Sequence, residues 1–269
     1  MIARSLIASC LFFSYAASAQ NANLPAPEQL ESLAKSKQWA HLLHYRQHPF
    51  SGRYISQNDS PNFFLAKNGK SSLVDELQAD LQAFLSSDLA DNRSAQCQFP
   101  ARYHWLKQQL PDLNFIDQPC SEFAQWRQQL DAEYLTLIFP ASHINSPSSM
   151  YGHTLIRLDK KDPTSNKLLA HSVNFAANAD PDDNELMFSW KGLTGGYPGV
   201  VSVLPYYAKT NEYSHMEYRD IWEYQLDLNK EEADQFVRHI WETKDTFFDY
   251  FFFDENCSYR LLALLDASS

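Results

Sequence analysis

Asp254-Glu255-Asn256-Cys257-Ser258-Tyr259-Arg260-Leu261-Leu262-Ala263-Leu264-Leu265 is a polar turn running directly into an apolar helix, and it places a cysteine in the first helical turn. Backbone N–H groups and the positive end of a helix macrodipole favour a thiolate over a thiol and can hold a developing oxyanion. Cys257 is therefore the leading candidate for a nucleophile. A nucleophilic cysteine needs a base within hydrogen-bond reach and a third group to orient that base. Upstream, Met150-Tyr151-Gly152-His153-Thr154-Leu155-Ile156-Arg157-Leu158 reads as a strand with a histidine near its start, so His153 is the candidate base. The following strand supplies His171, with Ser172 and Asn174 beside it. His171 is the first candidate for orienting His153 across neighbouring strands, and Asn174 is the second.

Around this core the chain divides into two halves. Up to about residue 130 the apolar spacing is helical, with stretches from Pro27, from Ser71 to Leu85, around Tyr103 to Leu110 and from Ser121 to Leu130. Ser72 with Asp75 has the form of a capping box. From Tyr134 onward short strands are expected at Tyr134–Phe139, His153–Leu158, Lys167–Phe175, Val200–Leu204 and Ile221–Leu228. Helices over about Lys230–Lys244 and Cys257–Asp266 follow. The fold class is α+β: an antiparallel sheet with packed helices over 131–269, preceded by a helical region over 20–130, with the boundary near 115–133. Gly192-Leu193-Thr194-Gly195-Gly196-Tyr197-Pro198-Gly199 reads as a flexible loop, either a lid or an ordinary turn cluster.

Residues 1–19 have the form of a cleavable secretion signal: Arg4, an apolar core from Leu6 to Ala17, and Ala17-Ser18-Ala19 before Gln20. The expected location is the periplasm or beyond. The apolar stretch is too short to span a bilayer, and Cys10 has no lipidation context, so neither an anchor nor a transmembrane helix is expected. Of the four cysteines, Cys97, Cys120 and Cys257 lie beyond this segment. Three pairings are open to them in an oxidising compartment. Cys97 and Cys120 share one loop-containing region, which favours Cys97–Cys120 and a free Cys257. The 269 residues, 44% hydrophobic and 14% aromatic, suffice for a packed core, and the net charge of -11 without a basic run argues against a nucleic-acid partner.

Three separated motifs carry a family resemblance. Ser146-Pro147-Ser148-Ser149-Met150-Tyr151-Gly152-His153-Thr154, then His171-Ser172-Val173-Asn174-Phe175-Ala176-Ala177, then Asn256-Cys257-Ser258 resemble the periplasmic domain at the N-terminus of Lnb, the bacterial lipoprotein intramolecular transacylase. The histidine-first, cysteine-last order is similar to circularly permuted members of the NlpC-like, papain-like superfamily. The resemblance covers about Tyr134 to Asp266, and Cys97-Gln98-Phe99-Pro100-Ala101-Arg102-Tyr103 resembles the companion region of longer members. It implies thiol acyl transfer: an acyl ester of a lipid or lipoprotein is attacked, held as a thioester and passed to an amine. Cys257 would be the nucleophile, His153 the base and acid, and His171 or Asn174 the orienting group. The Cys257 backbone N–H, aided by Tyr151, would stabilise the oxyanion. Lnb-type proteins carry membrane-embedded segments after this domain, which the present sequence does not contain. A non-catalytic periplasmic lipid- or protein-binding module is therefore the alternative.

Other features are read against simpler explanations. A zinc site from His143, His153, His171 and Cys257 matches no compact ligand motif, so neither metal nor other cofactor is expected. Asp180-Pro181-Asp182-Asp183-Asn184-Glu185 fails the EF-hand pattern and reads as a solvated turn before a helix start. Phe247-Phe248-Asp249-Tyr250-Phe251-Phe252-Phe253 is core packing by default; the alternative is an acyl-chain groove or a contact with a membrane surface.

Overall fold

A computed structural model describes residues 24–48, 51–86, 91–140, 154–162, 164–180, 182–210 and 220–269. The proposed signal segment, His143, Tyr151 and His153 lie outside the described residues. The elements in chain order are α1 (Pro27–Ala34), α2 (Lys37–Leu42), β1 (Tyr45–Gln47), β2 (Tyr54–Ser56), α3 (Leu73–Leu85), α4 (Ala95–Gln98), α5 (Pro100–Gln109), α6 (Ser121–Leu130), β3 (Tyr134–Pro140), β4 (Leu155–Asp159), β5 (His171–Ala177), α7 (Glu185–Thr194), β6 (Tyr197–Pro205), α8 (Tyr206–Thr210), β7 (Ile221–Gln225), α9 (Lys230–Thr243), β8 (Phe247–Tyr250) and α10 (Cys257–Asp266).

Six strands form one antiparallel sheet in the order β7-β3-β4-β5-β6-β8. Alternation of side chains gives it two unlike faces. Leu135, Ile156, Leu158, Val173, Phe175, Val201, Phe248 and Tyr250 point to one face, where α9 and α10 close a core with Phe236, Ile240 and Leu261. On the opposite face Ile138 and Leu155 pack with Tyr206 of α8. The helical N-terminal region has its own core around Trp39, Phe63, Leu77, Phe84 and Leu106.

The α+β class with a helical N-terminal region stands, and several element details differ from the sequence reading. β4 begins at Leu155 and β7 ends at Gln225. Lys167–Leu169 is a 3-10 turn instead of the start of a strand, because the Asn166 side chain accepts from the Leu168 N–H and the strand begins only at His171. The glycine-rich stretch is ordered. Gly192 lies within α7, Gly195 ends that helix at φ +77°, and Tyr197–Gly199 pair in the sheet. The aromatic run contains a strand, β8. The capping box at Ser72 is half made: its hydroxyl accepts from the Asp75 N–H at 3.2 Å, while the Asp75 carboxylate accepts from Asn68.

Cys97 and Cys120 form a disulfide across a separation of 23 residues, joining α4 to the start of α6, and Cys257 is not part of that bridge. Closing a loop of that length restricts the unfolded chain by about 3 kcal/mol. The Cys97→Ser/Cys120→Ser double variant is therefore expected to lose about that much stability in denaturant unfolding. Reductant should lower the wild-type midpoint to that of the variant and leave the variant unmoved.

Candidate functional site

Asn256 is the N-cap of α10, its side chain accepting from the Tyr259 N–H at 3.1 Å, and Cys257 is the first helical residue. The cap fixes where the helix begins, and so fixes the thiol at the positive end of its dipole. The Cys257 side chain is 2% exposed and belongs to the core cluster with Phe175, Tyr250 and Leu261. Its backbone N–H bonds the Tyr250 hydroxyl, whose phenol is pushed up by burial and, secondarily, by the neighbouring Cys257. Tyr250 thus stays a neutral hydroxyl beside the N–H that an oxyanion would use.

The start of β4 reaches this helix. Thr154 Oγ1 lies 3.0 Å from Ser258 Oγ, so the residue after His153 meets the residue after Cys257. β5 places the two candidate orienting groups differently. His171 pairs with Leu158 on β4, four residues and about 13 Å along the strand from Thr154. It is partly buried, burial lowers its imidazole pKa with a smaller effect from Lys160, and its Nδ1 has no hydrogen-bond partner among the described residues. Asn174 is three residues on, pairs with Ser202 and projects to the face opposite Val173 and Phe175, away from α10. Its Oδ1 is buried, with no hydrogen-bond partner among the described residues.

The N-terminal region grips α10 at both ends. Near the start, Gln57 Oε1 accepts from the Tyr259 hydroxyl at 2.9 Å and from Arg260 Nη1 at 3.3 Å. Near the end, Gln38 Nε2 donates to the Ala267 carbonyl at 2.7 Å, and Arg46 pairs with Asp266 at 3.1 Å. Residues 58–60 run along β8: Asn58 bridges to Phe248, the Asp59 N–H donates to the Phe247 carbonyl at 3.0 Å, and the Asp249 N–H donates to Asp59 Oδ2 at 2.8 Å. This covers an otherwise bare sheet edge.

Arg260, one turn into α10, is fully buried over the Phe248 ring at 4.0 Å and pairs with Glu255 at 2.5 Å. Burial lowers the guanidinium pKa and raises that of Glu255, with each partner opposing the shift of the other. Arg260 thus stands one turn from the thiol with its charge balanced by Glu255. Tyr250, Gln57 and Arg260 escaped the sequence reading. Tyr250 carried a signal, being the one hydroxyl in the run from Phe247 to Phe253, whereas nothing local to Gln57 points to a helix some two hundred residues later.

A separate cavity of about 500 Å³ lies between α5, α6 and α9, with Tyr103, His104, Phe123, Arg127 and Lys230 in its wall. Cys257, His171 and Asn174 are not part of that wall. Its charges are largely paired internally, as in Arg127–Asp234 and Lys230–Asp234. Among the described residues no group of three His, Cys, Asp or Glu side chains is placed to hold a metal ion, and no helix is long and apolar enough to cross a membrane.

Comparison with known families gives two matches. The Lnb N-terminal periplasmic domain matches residues 122–269, and a domain of unknown function (DUF7843) matches residues 31–109. No curated protein and no solved structure matches the chain.

Proposed function

The chain belongs to the Lnb N-terminal periplasmic domain family, and from that premise we propose that it is an exported cysteine acyltransferase or hydrolase acting on acyl esters of lipids or lipoproteins. The observation that carries this reading is the meeting of Thr154 and Ser258, which joins the strand leading from His153 to the helix headed by Cys257. In the proposed reaction the Cys257 sulfur attacks the acyl carbonyl carbon, and His153 takes the thiol proton and delivers it to the departing alcohol. The resulting thioester is then attacked by an amine or by water, whose proton returns through His153 while the thiol is released. The oxyanion takes the place of the Tyr250 oxygen as acceptor of the Cys257 N–H, and the Tyr250 hydroxyl donates to it as well. The arrangement is a permuted papain-like one, and residues 1–19 are a secretion signal cleaved after Ala19.

The test is covalent trapping. Incubation with an activated p-nitrophenyl acyl ester is expected to raise the mass of the protein by one acyl group on Cys257, and hydroxylamine should remove it. His153→Ala should slow acylation on the order of 10²-fold or more. An acyl group found elsewhere, or none, would overturn the proposal. A second reading, a non-catalytic lipid- or protein-binding module of the envelope, is favoured by one observation, the 2% exposure of Cys257 within an apolar cluster. Under that reading Cys257 stays unlabelled and ligand binding survives its substitution.

A further inference from the structure

α7 is an amphipathic helix whose apolar arc faces away from the protein. Its inner side is firmly seated. Phe188 packs on Tyr197 and Phe252, with ring centroids 5.7 and 5.4 Å apart, and the Gly192 carbonyl accepts from the Phe252 N–H at 2.9 Å. A Cβ on Gly192 would sit 2.2 Å from the Phe252 ring, so only glycine permits this approach. Asn184 caps the start, accepting from the Met187 N–H at 2.9 Å, and Gly195 in the left-handed region ends the helix. The element is therefore well built and not frayed.

The outer side carries Leu186, Met187, Trp190 and Leu193, at helical spacings that place them on one contiguous arc. Leu186 is 84% exposed and Trp190 66%, and the neighbouring Phe253, directly after the residue bonded to Gly192, is 59% exposed. Isolated exposed apolar residues need no explanation, but four on one arc of a capped helix, with Phe253 in the segment bonded to it, mark a contact surface.

We infer that the outer face of α7, together with Phe253, docks the protein on a zwitterionic phospholipid surface. The charge distribution selects this occupant. Asp180, Asp182, Asp183 and Glu185 precede or open the helix, and Lys191, its single cation, is tied to Asp183 at 2.6 Å. An anionic bilayer would be repelled, whereas the outward amines of zwitterionic headgroups complement the acids while leucine, methionine and tryptophan enter the interface. Continuity with the site argues the same way. The Phe251–Phe253 segment that α7 holds leads within four residues to Cys257, so a docked bilayer would lie beside the thiol that is to receive an acyl group. This last step rests on the proposed acyl chemistry; the docking surface does not.

The test is flotation of the purified chain with phosphatidylcholine/phosphatidylethanolamine vesicles. Wild type is expected to float with these vesicles at both low and high salt, and less when phosphatidylglycerol is added. Leu186→Ser/Trp190→Ser should lower the bound fraction at least tenfold without changing the thermal unfolding midpoint. Trp222→Ala, which removes a comparably exposed tryptophan (57%) on the opposite edge strand β7, should leave it unchanged. Failure of wild type to float, binding confined to anionic vesicles, or binding indifferent to the α7 substitutions would overturn the inference. So would a concentration-dependent dimer in light scattering that the α7 variant abolishes, which would make a second copy the occupant. Flotation of Cys257→Ala should equal wild type, and turnover of a water-soluble acyl ester should survive the α7 substitutions. Loss of flotation and absence of catalysis are thereby separate results.

Discussion

Cys257→Ala is expected to eliminate turnover of acyl esters, by on the order of 10⁴-fold or more, in a protein that remains folded. The chemical half follows from the neighbouring hydroxyls among the described residues being engaged elsewhere: Ser258 with Thr154, and Tyr250 with the Cys257 N–H. The structural half follows from packing. The Cys257 side chain is a small buried group among Phe175, Tyr250 and Leu261, and replacing a sulfur by hydrogen there costs on the order of 1 kcal/mol. Alanine is the better probe than serine, because serine would put a hydroxyl into the same apolar cluster. The companion variant is His171→Ala. With about 13 Å of strand between His171 and the Thr154 end of β4, its loss is expected to change turnover by no more than several-fold. Rates and thermal midpoints of the two variants, measured side by side, check the assignment. Full activity in Cys257→Ala would end the catalytic proposal, and an inactive but folded His171→Ala would return that histidine to the site.

What could be read in advance follows from how local each signal is. α10 was legible to the residue, because Asn256 is a strong cap and the apolar run after Cys257 has nothing to interrupt it. The Cys97–Cys120 bridge was legible from proximity in sequence. β8 was not, because Phe247 to Phe253 is apolar almost throughout, and periodicity fails when every position can be buried. The loop assignment at Gly192 failed for a different reason. Its glycine marks close approach to the Phe252 ring, a tertiary fact that looks like flexibility in one dimension. The site shows the same division. The cysteine and its helix are local, whereas the clamp by Gln57, Gln38 and Arg46 depends on folding the N-terminal region against the far end of the chain. His171 and Asn174 were both plausible orienting groups on paper. Pairing with Leu158 places His171 far along the sheet from Thr154, and strand alternation turns Asn174 to the face opposite Val173; their relation to His153 lies outside the described residues.

The region that clamps α10 is itself held by buried charge, and there the largest stability effect is expected. Arg102 of α5 is fully buried, with its guanidinium 4.2 Å over Phe63 and 4.4 Å over Phe99. It donates to the Phe63 carbonyl at 2.7 Å and pairs with Glu76 at 3.1 Å, Asp80 at 3.5 Å and Glu242 at 3.6 Å. Glu242 belongs to α9 under the sheet, and it also accepts from the Ala101 and Arg102 N–H groups at the start of α5. The cluster therefore joins the two halves of the chain. Arg102→Met keeps most of the volume but strands the carboxylates in a dry interior, and its expected cost is about 3–5 kcal/mol in denaturant unfolding. Asp80→Asn should do the opposite. Burial, reinforced by Glu76 and Glu242 and opposed by Arg102, raises the Asp80 carboxyl well above the usual range. Between its unfolded and folded pKa values the unfolded chain releases this proton while the folded one keeps it, so wild type loses stability as pH rises through that window. The asparagine variant lacks this loss, so the two stability curves should meet near pH of about 3.5 and separate in its favour as pH rises. His44 acts in the other direction. Burial, with His239, Arg260, Arg102 and Arg46 adding repulsion, holds it well below its usual value, so stability falls as pH drops below about 6.5, where the unfolded imidazole takes a proton and the folded one does not. The two groups act with opposite sign, so Asp80→Asn should remove only the loss that grows as pH rises above about 4 and leave the His44 effect below about 6.5 in place. An Arg102→Met variant as stable as wild type would show that the cluster does not hold the two halves together.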